Sequence, residues 1–153
     1  SLGNRSIIAS PINLEMKNII NKKIKKRENF RPFAPSILIE KKKDWFETYK
    51  PNLYMSAVEY IIKEKRKFVP AVTHFDGTGR VQDVKKNINP KFYDLINEFY
   101  KKTNIPILLN TSFNVKGQPI VNSPEDALDC FLSTNIDVLA MGSYFISKEN
   151  KNN

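Results

Sequence analysis

The stretch Pro106-Ile107-Leu108-Leu109-Asn110-Thr111-Ser112-Phe113-Asn114 decides the fold. Pro106 to Leu109 is apolar without alternation, as in a strand buried on both faces, and it empties into small polar side chains. Upstream, Asn89-Pro90 opens a helix on which Phe92, Leu95, Ile96 and Phe99 form an apolar stripe. Lys101-Lys102 suit its C-terminal end. Downstream, Ser123-Pro124-Glu125-Asp126 supplies a cap, a proline at the first helical position and early acids for a second helix. A buried strand between two amphipathic helices indicates an α/β or α+β domain, with helices packed on a sheet.

Working outward, Asn4 to Ala9 reads as a short strand. Ser10-Pro11 reads as a helix start, with Ile12, Met16, Ile19, Ile20 and Ile24 on one face. Arg31-Pro32-Phe33-Ala34-Pro35 must be extended, because residues before proline avoid the helical region. Ser36 to Glu40 continues as a strand, and Asp44 to Tyr49 suggests a short helix carrying Trp45 and Phe46. Met55 to Ile62 reads as a strand and Lys63 to Lys67 as a charged turn. Val69 to Thr73 and Arg80 to Val84 flank the loop His74-Phe75-Asp76-Gly77-Thr78-Gly79. Lys116 to Pro119 reads as a turn, and Asp137 to Met141 and Tyr144 to Ser147 as two closing strands. Lys148 to Asn153 is a polar tail.

Composition excludes several classes of site. The 153 residues make one ordinary domain. One Cys, Cys130, and one His, His74, leave no disulfide framework and no Cys/His zinc cluster. No apolar run approaches the roughly 20 residues that cross a bilayer. The start carries no signal-peptide pattern, so the expected compartment is the cytoplasm. The 25 Lys+Arg against 16 Asp+Glu give a net charge of +9. That surplus suits phosphates, nucleotides, nucleic acid or an acidic partner face, although scattered lysines also fit a Lys/Asn/Ile-rich composition.

Three constellations can carry chemistry. In Lys25-Lys26-Arg27-Glu28-Asn29-Phe30-Arg31-Pro32-Phe33, cations sit where a helix ends and a proline-constrained segment begins, with aromatics interleaved. Arginine suits bidentate phosphate contacts and lysine acts as a point charge, but a solvated basic helix end has the same pattern. Asn110-Thr111-Ser112-Phe113-Asn114 lies at the carboxyl end of the buried strand, where α/β sheets bind ligands; a strand-turn with local caps reads identically. In Asp76-Gly77-Thr78-Gly79-Arg80 two glycines allow close backbone approach to a ligand, or simply make a hairpin. A Walker lysine motif and a GxGxxG fingerprint are both absent.

Taken in order, Leu2 to Ile7, Arg27 to Pro35, Val72 to Thr78, Leu108 to Asn114 and Pro119 to Ala127 resemble the C-terminal domain of the O-carbamoyltransferases of the nodulation and antibiotic-tailoring type. The resemblance spans nearly the whole chain. It implies a YrdC-like twisted mixed sheet with flanking helices in residues 1–147, and a separate N-terminal Kae-type transferase domain that is absent from this chain. The implied activity is that of a carbamoyltransferase. This domain would make carbamoyl adenylate from carbamoyl phosphate and ATP with Mg²⁺. The partner domain, which holds the metal, would pass the carbamoyl group to an acceptor hydroxyl.

By the same resemblance Lys25, Arg31 and Ser112 would be catalytic, while Arg27, Arg80, Asn110, Thr111 and Asn114 would bind nucleotide and carbamoyl phosphate. No metal site is expected within this chain, which alone should not carbamoylate an acceptor. The family pattern has alanine where Gly79 stands and glutamate where Gln118 stands, and it places a further arginine just before Leu2. Two other classes remain open: a basic YrdC-like module binding RNA, which its small-polar strand end argues against, and a degenerate domain that only binds nucleotide or docks on a partner. A homodimer is also compatible with the sequence.

Overall fold

The computed structural model describes residues 1–148, so the tail beyond Lys148 lies outside the described residues. A four-stranded mixed sheet runs in the order β1-β6-β2-β5, formed by β1 (Ser6–Ala9), β6 (Ile107–Ser112), β2 (Ala34–Leu38) and β5 (Gln82–Val84). The apolar run Ile107–Leu109 thus lies in a central strand, antiparallel to both β1 and β2. Its two faces feed two cores. Ile107 and Leu109 join the larger cluster with Ile20, Ile24, Phe33 and Phe131. Leu108 packs in the smaller one with Leu38, Val84, Phe92 and Ile96.

Each face is closed by helices whose ends are chemically marked. α2 (Pro90–Thr103) covers the smaller cluster and begins at Asn89, whose side chain accepts from Phe92 N–H. It ends at Asn104, left-handed at φ 58°. Leu95, expected on its buried stripe, is exposed; Phe92 and Ile96 carry the contact. α3 (Pro124–Leu132) starts with a complete capping box between Ser123 and Asp126. A two-stranded hairpin, β7 (Val138–Met141) with β8 (Tyr144–Ser147), follows. Lys148, expected to open the polar tail, instead donates to the Phe131 and Thr134 carbonyls at the end of α3.

The N-terminal helix departs from its expected span. Ser10 accepts only a local bond from Ile12 N–H, and α1 begins at Glu15, where Asn13 Oδ1 accepts from the backbone. After Ile19 the helix widens into a π-helical stretch, Ile20–Lys25. It stops at Lys26, held left-handed at φ 51°. A non-glycine residue there is strained, and such widened turns recur at functional sites.

The middle of the chain is less regular than expected. Asp44 to Tyr49 is not a helix: the helical turn lies earlier, at Ile39–Asp44, and Phe46 bridges Ile61 in extended conformation. Burial of Trp45 and Phe46 against long-range partners overrides their local pattern. Only Glu59–Tyr60 of the expected strand pairs, as β3, with β4 (Thr78–Gly79). Val69 to Thr73 contains a 3₁₀ turn, Pro70–Val72, because proline at its start cannot donate to a ladder. Pro35 is tolerated inside β2 because pairing with β5 begins only at Ser36.

Candidate active site

The helix end and the strand end meet although they are far apart in sequence. Lys25, only 3% exposed, points its ammonium into a cage of oxygens at the end of β6. Nζ donates to the Ser112 carbonyl at 2.5 Å, the Asn114 carbonyl at 2.9 Å and Asn114 Oδ1 at 2.6 Å, with Ser112 Oγ at 3.2 Å. Ser112 Oγ donates onward to Asn114 Oδ1 at 2.7 Å, and Asn114 Nδ2 to the Gln118 carbonyl at 2.8 Å. Every partner among the described residues is neutral. Burial, and then the charge of Arg27, push the Lys25 pKa down to about 8, with Cys130 pulling the other way.

Arg27 leaves the same turn in another direction. Its Nε donates to Asn21 Oδ1 at 2.7 Å and its guanidinium lies 4.9 Å from the Phe33 ring centroid. Asn21 is fully buried and also donates to the carbonyls of Asn29 and Arg31. It therefore organises the whole Lys25–Arg31 reversal. Sequence reading missed it, and a polar residue on the apolar side of a helix was the available signal. Burial first, and Arg31 second, hold the Arg27 pKa below its usual value.

Arg27, Arg31, Phe33, Val58, His74 and Arg80 line a cleft of about 380 Å³, and none of the described residues lining it is acidic. Arg31 keeps one carboxylate partner, Glu28, at 3.2 Å on the exposed rim. Phe33 pins Arg27, whereas Phe30 is exposed. The glycine loop is a packed hairpin, not an open cradle: Gly77 N–H donates to the His74 carbonyl and Thr78 N–H to Asp76 Oδ1. A methyl group on Gly79 would meet Pro35 Cγ at 3.0 Å, so alanine there requires Pro35 to shift.

The expected site residues thus fall into separate places. Lys25, Ser112 and Asn114 form one hydrogen-bonded unit, and Arg27, Arg31 and Arg80 surround the cleft beside it. Thr111 is half-buried on β6 opposite Ile7. Asn110 joins neither group. Its amide is 1% exposed and donates to Ser36 Oγ at 3.0 Å and Gln82 Oε1 at 2.9 Å, inside the sheet. Strand alternation puts it on the face of Leu108, not that of Leu109. Its amide nitrogen ties β6 to β2 and β5, while its Oδ1 is buried without a hydrogen-bond partner among the described residues.

Comparison with known proteins agrees with the resemblance. The family described as carbamoyltransferase C-terminus matches residues 1–148. Nodulation protein NolNO of Sinorhizobium fredii is 48% identical over 151 residues, covering 97% of this chain and 22% of that protein. Nodulation protein NolO of Bradyrhizobium diazoefficiens is 44% identical over 151 residues, covering 97% of this chain and 28% of that protein. Nodulation protein U of the same organism is 38% identical over 130 residues, 85% of this chain and 22% of its own length. The chain therefore spans about a quarter of the length of these relatives. No helix among the described residues is long and apolar enough to cross a membrane. With a family match over 148 residues and near-complete coverage by relatives, this chain belongs to the carbamoyltransferase C-terminus family.

Proposed function

We propose that this domain makes carbamoyl adenylate for a carbamoyltransferase. The observation that carries the reading is the arginine cleft: three guanidinium groups around one space without a lining carboxylate, beside a buried lysine held only by neutral oxygens. Carbamoyl phosphate and water yield carbamate and phosphate. A carbamate oxygen then attacks the α-phosphorus of ATP, the bond to the bridging oxygen breaks, and pyrophosphate leaves. Little covalent chemistry is asked of the protein; the barrier falls through positioning and neutralisation of phosphate charge.

Arg27, Arg31 and Arg80 suit the phosphate oxygens, Arg27 rigidly through Asn21 and Phe33, Arg31 and Arg80 as adjustable rim charges. Lys25 adds a charge with no anion of its own, aimed by Ser112 and Asn114. ATP arrives with Mg²⁺ held by its own phosphate oxygens and water. A further part of the protein, which the greater length of the relatives accommodates, then passes the carbamoyl group to the hydroxyl of a small-molecule acceptor.

The test is pyrophosphate release from ATP by the purified chain, with and without carbamoyl phosphate. Release that depends on carbamoyl phosphate and disappears in both Lys25→Ala and Ser112→Ala supports the reading. Release that is independent of carbamoyl phosphate, or that survives both substitutions, overturns it.

A further inference from the structure

His74 is the only histidine of the chain and stands in the wall of the arginine cleft. Its neighbours choose its tautomer. Asp76 Oδ1 accepts the Thr78 backbone N–H at 3.0 Å and lies 2.7 Å from the Thr78 hydroxyl oxygen. His74 Nδ1 lies 3.1 Å from that same oxygen. A hydroxyl has a single proton to give. Were it turned to the imidazole, the carboxylate would face hydroxyl lone pairs at 2.7 Å, acceptor against acceptor. With the proton on Asp76, Thr78 Oγ1 can only accept from the ring. Nδ1 therefore carries the hydrogen and Nε2 keeps its lone pair.

The surroundings of the ring disfavour its charged form. Burial acts first; Lys17 and Arg80 add to it, against the opposing charge of Asp76, so the His74 pKa lies below its usual value. Arg27 and Arg31 complete the cationic surroundings from the neighbouring walls. All other polar side chains lining the cleft are arginines, which donate and never accept.

We infer that His74 Nε2 is the specificity determinant of the cleft, accepting a hydrogen bond from the NH₂ of the carbamoyl group while the arginines hold its phosphate or carbamate oxygens. This rests on the reading of the cleft as the carbamoyl site. An acyl phosphate with CH₃ in place of NH₂ fits the same space but leaves Nε2 unpaired, and sites built around a donor discriminate strongly against analogues lacking it.

The test uses the chain labelled with ¹⁵N-histidine, in which a single imidazole is observed, together with calorimetry of carbamoyl phosphate and acetyl phosphate. The expected spectrum has a protonated Nδ1 and a bare Nε2, whose resonance moves with carbamoyl phosphate and stays with acetyl phosphate. Carbamoyl phosphate is expected to bind about tenfold more tightly than acetyl phosphate, the preference collapsing to about twofold or less in His74→Phe. A proton on Nε2 in the free protein, or an undiminished preference in His74→Phe, overturns the inference. So does an Nε2 resonance that moves with ATP alone, which would assign the N–H to the adenine. Equal binding of the two acyl phosphates, weakened in both cases by Arg31→Ala, removes the role of His74 and leaves the cleft reading intact. Binding of neither removes both.

Discussion

Lys25 and Lys42 are buried to the same degree, each 3% exposed, yet their surroundings are opposite. Lys42 donates to Glu59 Oε1 at 3.0 Å, Asp83 Oδ2 at 3.0 Å and the Lys50 carbonyl at 2.6 Å. Asn52 braces both carboxylates through its backbone and side-chain amides. Two carboxylates consume that charge, and the cluster ties the Ile39–Asp44 turn to β3 and β5. Among the described residues Lys25 meets only neutral oxygens, so no carboxylate there compensates its charge. One lysine is structural, and the other is a buried cation for which an arriving anion would be the natural partner.

The largest effect should come from breaking the structural member. Lys42→Met leaves Glu59 and Asp83 buried without a cation, and stability should fall by about 3–5 kcal/mol in urea denaturation. A smaller loss, under about 1 kcal/mol, would mean that the two lysines are not different in kind. In Lys25→Met the domain should stay folded, while carbamoyl-phosphate-dependent pyrophosphate release drops by about 100-fold or more, the scale of a lost preorganised charge. A variant that unfolds as readily as Lys42→Met would erase the contrast.

The pH response sharpens the comparison further. With its pKa lowered to about 8, the folded-state Lys25 releases its proton before the unfolded chain does, whose value is 10.5. Between those two values the unfolded state binds more protons, so stability contributed at this site rises with pH, by at most about 1.4 kcal/mol per unit. The burial cost is complete below about pH 8 and is relieved above it. That rise should be present in the wild type and missing from Lys25→Met. Binding of ATP should move the other way, weakening as the ammonium is lost through about pH 8. The smallest effect on folding belongs to Arg31→Ala: its half-exposed pairing with Glu28 should leave the denaturation midpoint unchanged. Calorimetry should nevertheless show ATP binding weakened by about tenfold.

Some of this molecule is legible in its sequence. The run Ile107–Leu109, the Asn89-Pro90 start of α2 and the Ser123–Asp126 box of α3 are local signals, each complete within a few residues, and each forms where expected. The resemblance named Lys25 with Ser112 and Asn114, partners that meet across 87 and 89 residues of sequence. Composition could not have paired them.

Other features depended on partners that no local window contains. Phe46 became a bridge and not a helix because Ile61 offered it a buried strand partner. Asn110 looked like one of four equivalent polar residues at a strand end. Which face of the sheet it occupies, and that Ser36 and Gln82 wait there, is decided by register. Asn21, within the widened stretch Ile20–Lys25, finds the Asn29 and Arg31 carbonyls only after the chain has turned back.

Sequence by itself determined the buried part of the central strand and where the two helices begin, because caps, prolines and apolar periodicity act over a few residues. It also determined the excess of positive charge. Only the tertiary structure decided which cations stay uncompensated. A charge counts the same in the composition wherever it lies; its chemical use depends on whether folding places a carboxylate within reach, as it does for Lys42 and does not for Lys25.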